Sequence, residues 1–437
     1  MSEVPEGWKM VPLAVVCEVN PRDPGPTRHS TAVSFVPMPS VSETEGAIMA
    51  HDTKPFSKVA KGYTRFRERD VIFAKITPCM ENGKSAVASG LHAGFACGST
   101  EFHVLRSKGE ILPEYLWRFL RQKAFRNEAE RHMTGAVGQR RVPSQYIKDT
   151  LIPLPPLQEQ HRIVDRLGGL FKHTKVAREQ LGHIPRLIQR YKGAVLAAAF
   201  SGVLTKEWRS ENGISLDGDW REKMLGVVST DVRYGAAAKC HYQPKRVPVL
   251  RIPNVVDGRI DLRDLKYGSF SKQEQEKLAL KAGDLLVIRS NGSLDLVGRA
   301  ALVPKSVAGY LYAGYLIRIR LDCKQVYPPF VQHAFYEPSI RQHIESLAKS
   351  TSGVNNINSE QLKAITLRIP PLEEQKEIVE KIQSAFSSID HLRDDAIGAD
   401  KLLDRLDQAT LAKAFRGELV GPRKFAEPMP SRKGRRQ

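Results

Sequence analysis

PPLQEQHRIV (residues 155–164) opens a stretch that closes on VLAAAFSGVL (195–204), and the chain writes both ends again as PPLEEQKEIV (370–379) and TLAKAFRGEL (410–419). The offset is 215 residues at either end, so the two copies align without an internal gap. A repeat of this period has to be found first, because missing it misreads the architecture. Each copy carries the start and stop signals of one long helix. Pro156 and Pro371 suit a first helical position, where no N–H is needed. Glu159 and Glu374 fall in the first turn, where the helix dipole favours a carboxylate. Gly202 and Gly417 stand where a left-handed cap ends a helix.

Between these signals runs a 4-3 pattern: Ile163, Leu167, Leu170, Thr174, Ala177, Leu181, Ile184, Ile188, Tyr191 and Val195 in the first copy. Ile378, Ile382, Ala385, Ile389, Leu392, Ala396, Ala399, Leu403, Leu406 and Thr410 follow in the second. Only the threonine in each set is not apolar, and a 3.5-residue period this long predicts a coiled-coil seam. At ~1.5 Å per residue each rod is roughly 65 Å long. An amphipathic helix lying on a globular core is the other reading, and the length of the pattern favours the rod. Pro185, close behind Gly182, predicts a kink or short break in the first copy.

With 437 residues, 41% of them hydrophobic, the chain has length for two or more domains and enough apolar content for their cores. A net charge of +19 predicts a polyanionic partner, although ribosomal and membrane-surface proteins share that bias. No run of apolar residues is long enough to predict a membrane span. The N-terminus MSEVPEGWKM lacks a basic-then-apolar leader. Five scattered cysteines without a CxxC pair fit a reducing, cytoplasmic setting.

Ahead of each rod stands a region that reads as a compact α+β domain. In the first, VSFVPM (33–38) and DVIFAKI (70–76) read as strands, and LPEYLWRFLRQKAF (112–125) as a helix with Leu116, Phe119 and Leu120 on one face. GQRRVPSQYIKD (138–149) leads into the rod, with Ser144 placed to cap a short helix. The second region follows the same plan with different letters. GDLLVIR (283–289) matches RDVIFAK (69–75), GVNNINSEQLKA (353–364) matches the lead-in, and Trp220 answers Trp8. The interiors diverge, which predicts two modules of one fold with two specificities.

The doubled PPLxEQxxIV helix entry and the LAAAFSGxL ending, set around two divergent domains, resemble the specificity subunit of type I restriction–modification enzymes over nearly the whole chain. The resemblance implies target-recognition domains at 1–154 and 205–369. It implies conserved helices at 155–204 and 370–420 that pack as an antiparallel coiled coil, with a basic tail from 421 to 437. The internal repeat then has pseudo-two-fold character. Each domain would read, in the major groove, one half of a bipartite, asymmetric duplex target. The helices would space the two domains and dock two copies of a methyltransferase subunit. S-adenosylmethionine would sit in that partner, which methylates adenine. ATP and Mg²⁺ would sit in a restriction and translocase subunit. This chain itself would be non-catalytic and bind no cofactor. A free-standing duplex DNA-binding protein and a coiled-coil scaffold without enzyme partners are the alternatives.

Duplex recognition needs phosphate contacts for affinity and base-edge contacts for specificity. The candidates lie at the ends of predicted strands or in the glycine-flanked lead-in loops, where polar side chains project. They are Lys75, Thr77, Asn82, Lys84, Gln139, Arg140 and Arg141 in the first domain. In the second they are Arg289, Ser290, Asn291, Ser293, Asn355 and Asn356. Turn chemistry is the other reading for Asn and Ser beside Gly. Phe171, Leu187 and Phe200, with their repeats Phe386, Leu402 and Phe415, are left over on the rods as candidate anchors for partner helices, or else pack on their own domains.

Catalytic motifs are wanting. Tyr327-Pro328-Pro329-Phe330 resembles the Asn-Pro-Pro-aromatic motif of amino-methyltransferases but has tyrosine where asparagine is required, and it aligns with the helix start LPEYL (112–116). No phosphate-binding glycine loop, HExxH or Cys/His cluster appears.

Overall fold

The computed structural model describes residues 4–136, 138–215, 219–244, 246–349 and 353–421. Of the basic tail predicted at 421–437, all but Gly421 lies outside them. Both copies of the repeat are single helices, Leu157–Phe200 and Leu372–Phe415. Gly202 and Gly417 follow them with φ of +80° and +76°, the left-handed ending that the sequence predicts. Pro156 and Pro371 stand one residue outside. Their carbonyls accept from Gln160 N and Gln375 N, so they cap the helices rather than begin them. The break predicted at Pro185 does not occur, since helical residues run through it. The ring removes one helical donor on an exposed face, where water can serve the carbonyl left over.

A buried glutamine fixes each helix to the domain before it. Gln160 Oε1 accepts from Leu112 N at 2.8 Å, and its amide donates to the carbonyls of Glu110 and Pro155. Gln375 accepts from Tyr327 N at 2.7 Å and donates to Gln325 and Pro370. Every partner recurs 215 residues later. A glutamine amide supplies the acceptor and both donors, which glutamate does not. The neighbouring Glu374 is also buried and accepts from Arg209, Thr205 and Trp220 Nε1.

The chain divides into two compact units, Met1–Leu181 with Gly398–Gln437, and Gly182–Ile397. Each long helix therefore gives its first half to one unit and its second half to the other. In the first unit an antiparallel sheet has the order Cys17–Val19, Phe102–Ser107, Val71–Ala74, Ser85–Val87. A second sheet runs Asp52–Pro55, Ala32–Val36, Phe95–Gly98, Thr64–Arg67, with its middle pair parallel. The stretch predicted as one helix over 112–125 is two, Pro113–Leu120 and Lys123–Arg131, with Leu116, Phe119 and Leu120 all buried. Ile163 and Leu167 from the first long helix join Leu411, Ala414 and Phe415 from the second in one core. Early residues of one helix meeting late residues of the other make the pair antiparallel. Arg178 ties them further, donating to Asp404 at 2.7 Å and Asp407 at 2.8 Å.

The second unit repeats this plan. Its main sheet has the same order, Ser229–Tyr234, Leu316–Leu321, Leu285–Ile288, Ala300–Leu302. Its smaller sheet, Lys266–Gly268, Val247–Leu250, Leu311–Tyr312, also holds one parallel pair but has three strands instead of four. Val195, Leu196 and Ala199 pack with Ile378, Val379 and Ile382, again antiparallel, and Lys192 donates to Asp390 at 3.0 Å. An aspartate–arginine fork braces both main sheets. Arg106 grips Asp70 through Nε at 2.8 Å and through its terminal nitrogen at 2.7 Å, and Arg320 grips Asp284 at the same two distances. These aspartates are the ones shared by RDVIFAK and GDLLVIR.

Not all of the predicted seam is buried. Tyr191, Leu392 and Leu406 are exposed, because two helices without a third layer cover only one strip of each other. Ser144 and Ser359 prove to be first helical residues, not caps. Pro143 precedes Ser144, and Asn358 caps the second helix through Gln361 N.

Candidate nucleic-acid interface

In both units the same backbone arrangement brings two predicted stretches together. Lys75 follows the strand Val71–Ala74. Its N donates to Glu101 O at 2.9 Å, and its carbonyl accepts from Val142 N at 2.9 Å. Thr77 N donates to Arg140 O at 3.0 Å, which holds the lead-in loop against the strand end. In the second unit Arg289 N donates to Tyr315 O and Ile357 N to Arg289 O, both at 2.9 Å. Ser290 and Asn291 pair with Asn356 and Asn355 as a short antiparallel ladder. Lys75, Glu101, Arg140 and Arg141 thus occupy the same frame as Arg289, Tyr315, Asn355 and Asn356. Gly138 and Gly353 turn the two loops with φ of +79° and +85°. A Cβ would meet nothing at either, so the left-handed backbone alone calls for glycine.

The side chains on this frame differ in how free they are. The ends of Lys75 and Gln139 have no hydrogen-bond or ion-pair partner among the described residues, although the Lys75 charge lies near enough to Glu101 to help lower its carboxyl. Arg141 donates through Nε and one terminal nitrogen to Glu101, both at 2.9 Å, and through the other to Gln139 O. The Arg141 fork holds the Glu101 carboxyl below its ordinary range, and the carboxylate in turn raises the guanidinium. Arg140 lies 3.4 Å from Glu130, and the Thr77 hydroxyl donates to Glu81. Asn82 donates to Glu43. Lys84 is corrected by the structure. Its side chain is only 15% exposed and turns to Glu43 and the Met38 carbonyl, so it is a packing cation.

In the second unit Arg289 donates through Nε to Asn356 Oδ1 at 3.1 Å, and its guanidinium lies 4.7 Å over the Tyr234 ring. Ser290 is half-buried on the ladder. Asn291 accepts from Ser293 N, the Ser293 hydroxyl donates to Asp295, and Asn355 donates to Gly292 O. These three side chains hold the loop, which is the turn chemistry weighed against contact.

Three features escaped the sequence reading. A cavity of about 730 Å³ beside Lys75 is lined by Arg22, Tyr63 and Arg65. The only signal for it is the arginine-bearing, proline-rich loop at 21–28. Glu101 and Tyr315 sit at matched frame positions, visible in the sequence only once the 214-residue offset of the central strands is carried onward. His103 lies buried beneath the loop. It donates from Nε2 to Val142 O at 2.8 Å and receives the Asn20 amide at Nδ1. Burial lowers its pKa, so it serves as a neutral pin.

The candidate partner anchors divide in two. Phe415 is 7% exposed and packs on Tyr115 and Phe119, so it is a core residue and not an anchor. Phe200 packs on Phe330, Phe171 on Arg118 and Phe386 on His333, each within its own unit. Leu187 and Leu402 remain open at 56% and 61% exposure, and each has an exposed apolar residue one turn on, Tyr191 and Leu406.

Phe330 is fully buried and Tyr327 is bonded to Gln375, so the Tyr-Pro-Pro-Phe segment is a helix start. Among the described residues no cluster of His, Cys, Asp or Glu could hold a metal ion, and no helix is long and apolar enough to cross a membrane.

Comparison with known proteins agrees with the doubled plan. The model of the type I restriction modification DNA specificity domain matches twice, over residues 5–185 and 220–395. The EcoKI type I restriction enzyme specificity subunit of Escherichia coli K12 is 29% identical over 98% of this chain and 92% of its own length. The StySPI specificity subunit of Salmonella potsdam is 28% identical with the same coverage. A chain from a structure of a type I restriction–modification system superposes with a TM-score of 0.73 at 23% identity, covering 96% of this chain and all of that one. The HsdS subunit of Thermoanaerobacter tengcongensis gives 0.57 over 95% and 98%. With both domain matches falling on the two structural repeats and together spanning most of its length, this chain belongs to the type I restriction–modification DNA specificity family.

Proposed function

We propose that this chain chooses the DNA sequence on which a type I restriction–modification enzyme acts, by reading one half of a bipartite duplex site with each unit. The observation that carries the reading is the repeated frame. One backbone arrangement presents Lys75, Glu101, Arg140 and Arg141 in one unit and Arg289, Tyr315, Asn355 and Asn356 in the other. Two different sets of polar groups on one scaffold suit two different half-sites. The net charge of +19 supplies the phosphate attraction. The exposed pairs Leu187–Tyr191 and Leu402–Leu406 recur on the two helices and offer two like docking surfaces, one for each of two methyltransferase subunits. S-adenosylmethionine, ATP and Mg²⁺ belong to the partner subunits in this reading, and the chain contributes no catalytic group.

The test is binding and co-purification. The chain expressed with its neighbouring methyltransferase should elute with two copies of that subunit. It should bind duplex DNA with an affinity that falls steeply with salt. A chain that binds DNA but never a methyltransferase is the free-standing DNA-binding protein instead. A chain without salt-dependent DNA affinity is a protein scaffold.

A further inference from the structure

We propose that each unit reads a guanine through one braced arginine, Arg141 in the first and Arg289 in the second, with Glu101 and Asn356 as their positioning residues. The inference rests on the proposed function and adds the base to it. A guanidinium has five N–H donors in a rigid plane. Glu101 takes the Nε side of Arg141, and Gln139 O takes one hydrogen from the opposite terminal nitrogen. Two donors remain, one on each terminal nitrogen. That is the pair that fits the O6 and N7 acceptors of guanine in the major groove. Arg141 is 42% exposed on its side chain, so a ligand can reach it.

Arg289 reaches the same state by a different route. Asn356 Oδ1 holds its Nε, and the Tyr234 ring lies under the guanidinium at 4.7 Å. The ring is itself fixed, because the Tyr234 hydroxyl accepts from Ser359 N at 2.9 Å. Both terminal nitrogens of Arg289 are without partners among the described residues. The arginine has moved between the two stretches of the frame. Arg141 stands on the lead-in loop, at the place of Asn356, and Arg289 stands at the strand end, at the place of Lys75. The base it reads should accordingly fall at a different step of each half-site. Lys75 has length and charge but no planar fork, which suits a phosphate better than a base.

The experiment co-expresses the full chain and its methyltransferase subunit in a host without adenine methylation of its own, and derives the methylated motif by single-molecule sequencing. The wild-type motif should contain a G·C pair in each half. Arg141→Lys should relax the preference at one such pair by roughly ten-fold or more and leave the other half unchanged, and Arg289→Lys should do the converse. Glu101→Gln should relax the same position as Arg141→Lys, less strongly. A purely structural role for Glu101 would instead lower methylation evenly at all sites without altering the motif. A half-site without a G·C pair, or variant motifs identical to wild type, would overturn the inference while leaving the specificity role standing. Methylation that does not depend on this chain at all would overturn both. If a lysine variant abolishes methylation, the purified complex is competed between duplexes differing at that one pair, and an unchanged preference overturns the inference.

Discussion

Gln375 hydrogen-bonds three backbone groups from inside the joint between helix and domain, so its loss leaves buried polar groups without partners. Gln375→Ala should destabilise the second unit by about 2–4 kcal/mol, and Gln375→Glu should do nearly as much because a carboxylate cannot donate. Urea unfolding checks both. His333 gives the molecule an acid-sensitive point. Burial lowers its pKa to about 4. In the unfolded chain it titrates near its ordinary value of ~6.5. Above that value both states are neutral and His333 makes no difference. As pH falls from ~6.5 towards 4 the unfolded state alone takes up a proton, so stability drops by about 3 kcal/mol and then levels off. His333→Phe should flatten that part of the stability–pH curve. At this scale the sequence yields residue identity without partners. The recurrence of Gln160 as Gln375 is plain in the letters, but nothing local says that it reaches Leu112 or Tyr327. Lys84 has the same difficulty, since its turn toward Glu43 depends on a chain segment 41 residues away.

Secondary structure was most legible where periodicity was longest. Both long helices follow from the 4-3 pattern and their left-handed ends from Gly202 and Gly417, whereas their antiparallel packing was implied by the family resemblance and not by the periodicity. Short elements were less so, because one residue decides them. The helix predicted over 112–125 breaks at Arg121–Gln122, and the capping role read for Ser144 belongs to Asn358 in the other unit. Pro185 is at odds with its element, lying exposed inside a continuous helix. Pro185→Ala restores a helical donor and should stabilise the chain by about 1–3 kcal/mol, read as a raised thermal midpoint. The exposed pairs at Leu187–Tyr191 and Leu402–Leu406 have no packing role in their units. Leu187→Glu and Leu402→Glu should each leave the unfolding midpoint unchanged and remove one methyltransferase copy, as measured by native mass.

The whole molecule is one plan executed twice, with the frame kept and the side chains on it changed. That much is written in the sequence, because backbone-setting letters recur: Gly138 and Gly353, Asp70 and Asp284, Gln160 and Gln375. The reading groups are not legible in the same way. In the proposed reading, divergence at this frame serves two different half-sites, and Glu101 and Tyr315 share a position without sharing a property. The division of each helix between two units is also absent from the pattern, which runs on unchanged through Leu181 and Ile397. If the helices set the distance between half-sites, four residues inserted after Thr174 and after Ile389 should change the number of base pairs separating them and leave both half-site sequences intact. An unchanged spacer would remove the helices from that role.

The central claim is that this chain selects a bipartite DNA sequence for a methylating enzyme. Single-molecule sequencing of adenine methylation in host DNA, with and without the gene, tests it most directly. The account predicts that deletion erases one bipartite methylated motif and leaves other methylation untouched. Methylation unchanged by the deletion, with the neighbouring methyltransferase expressed and active, would contradict it.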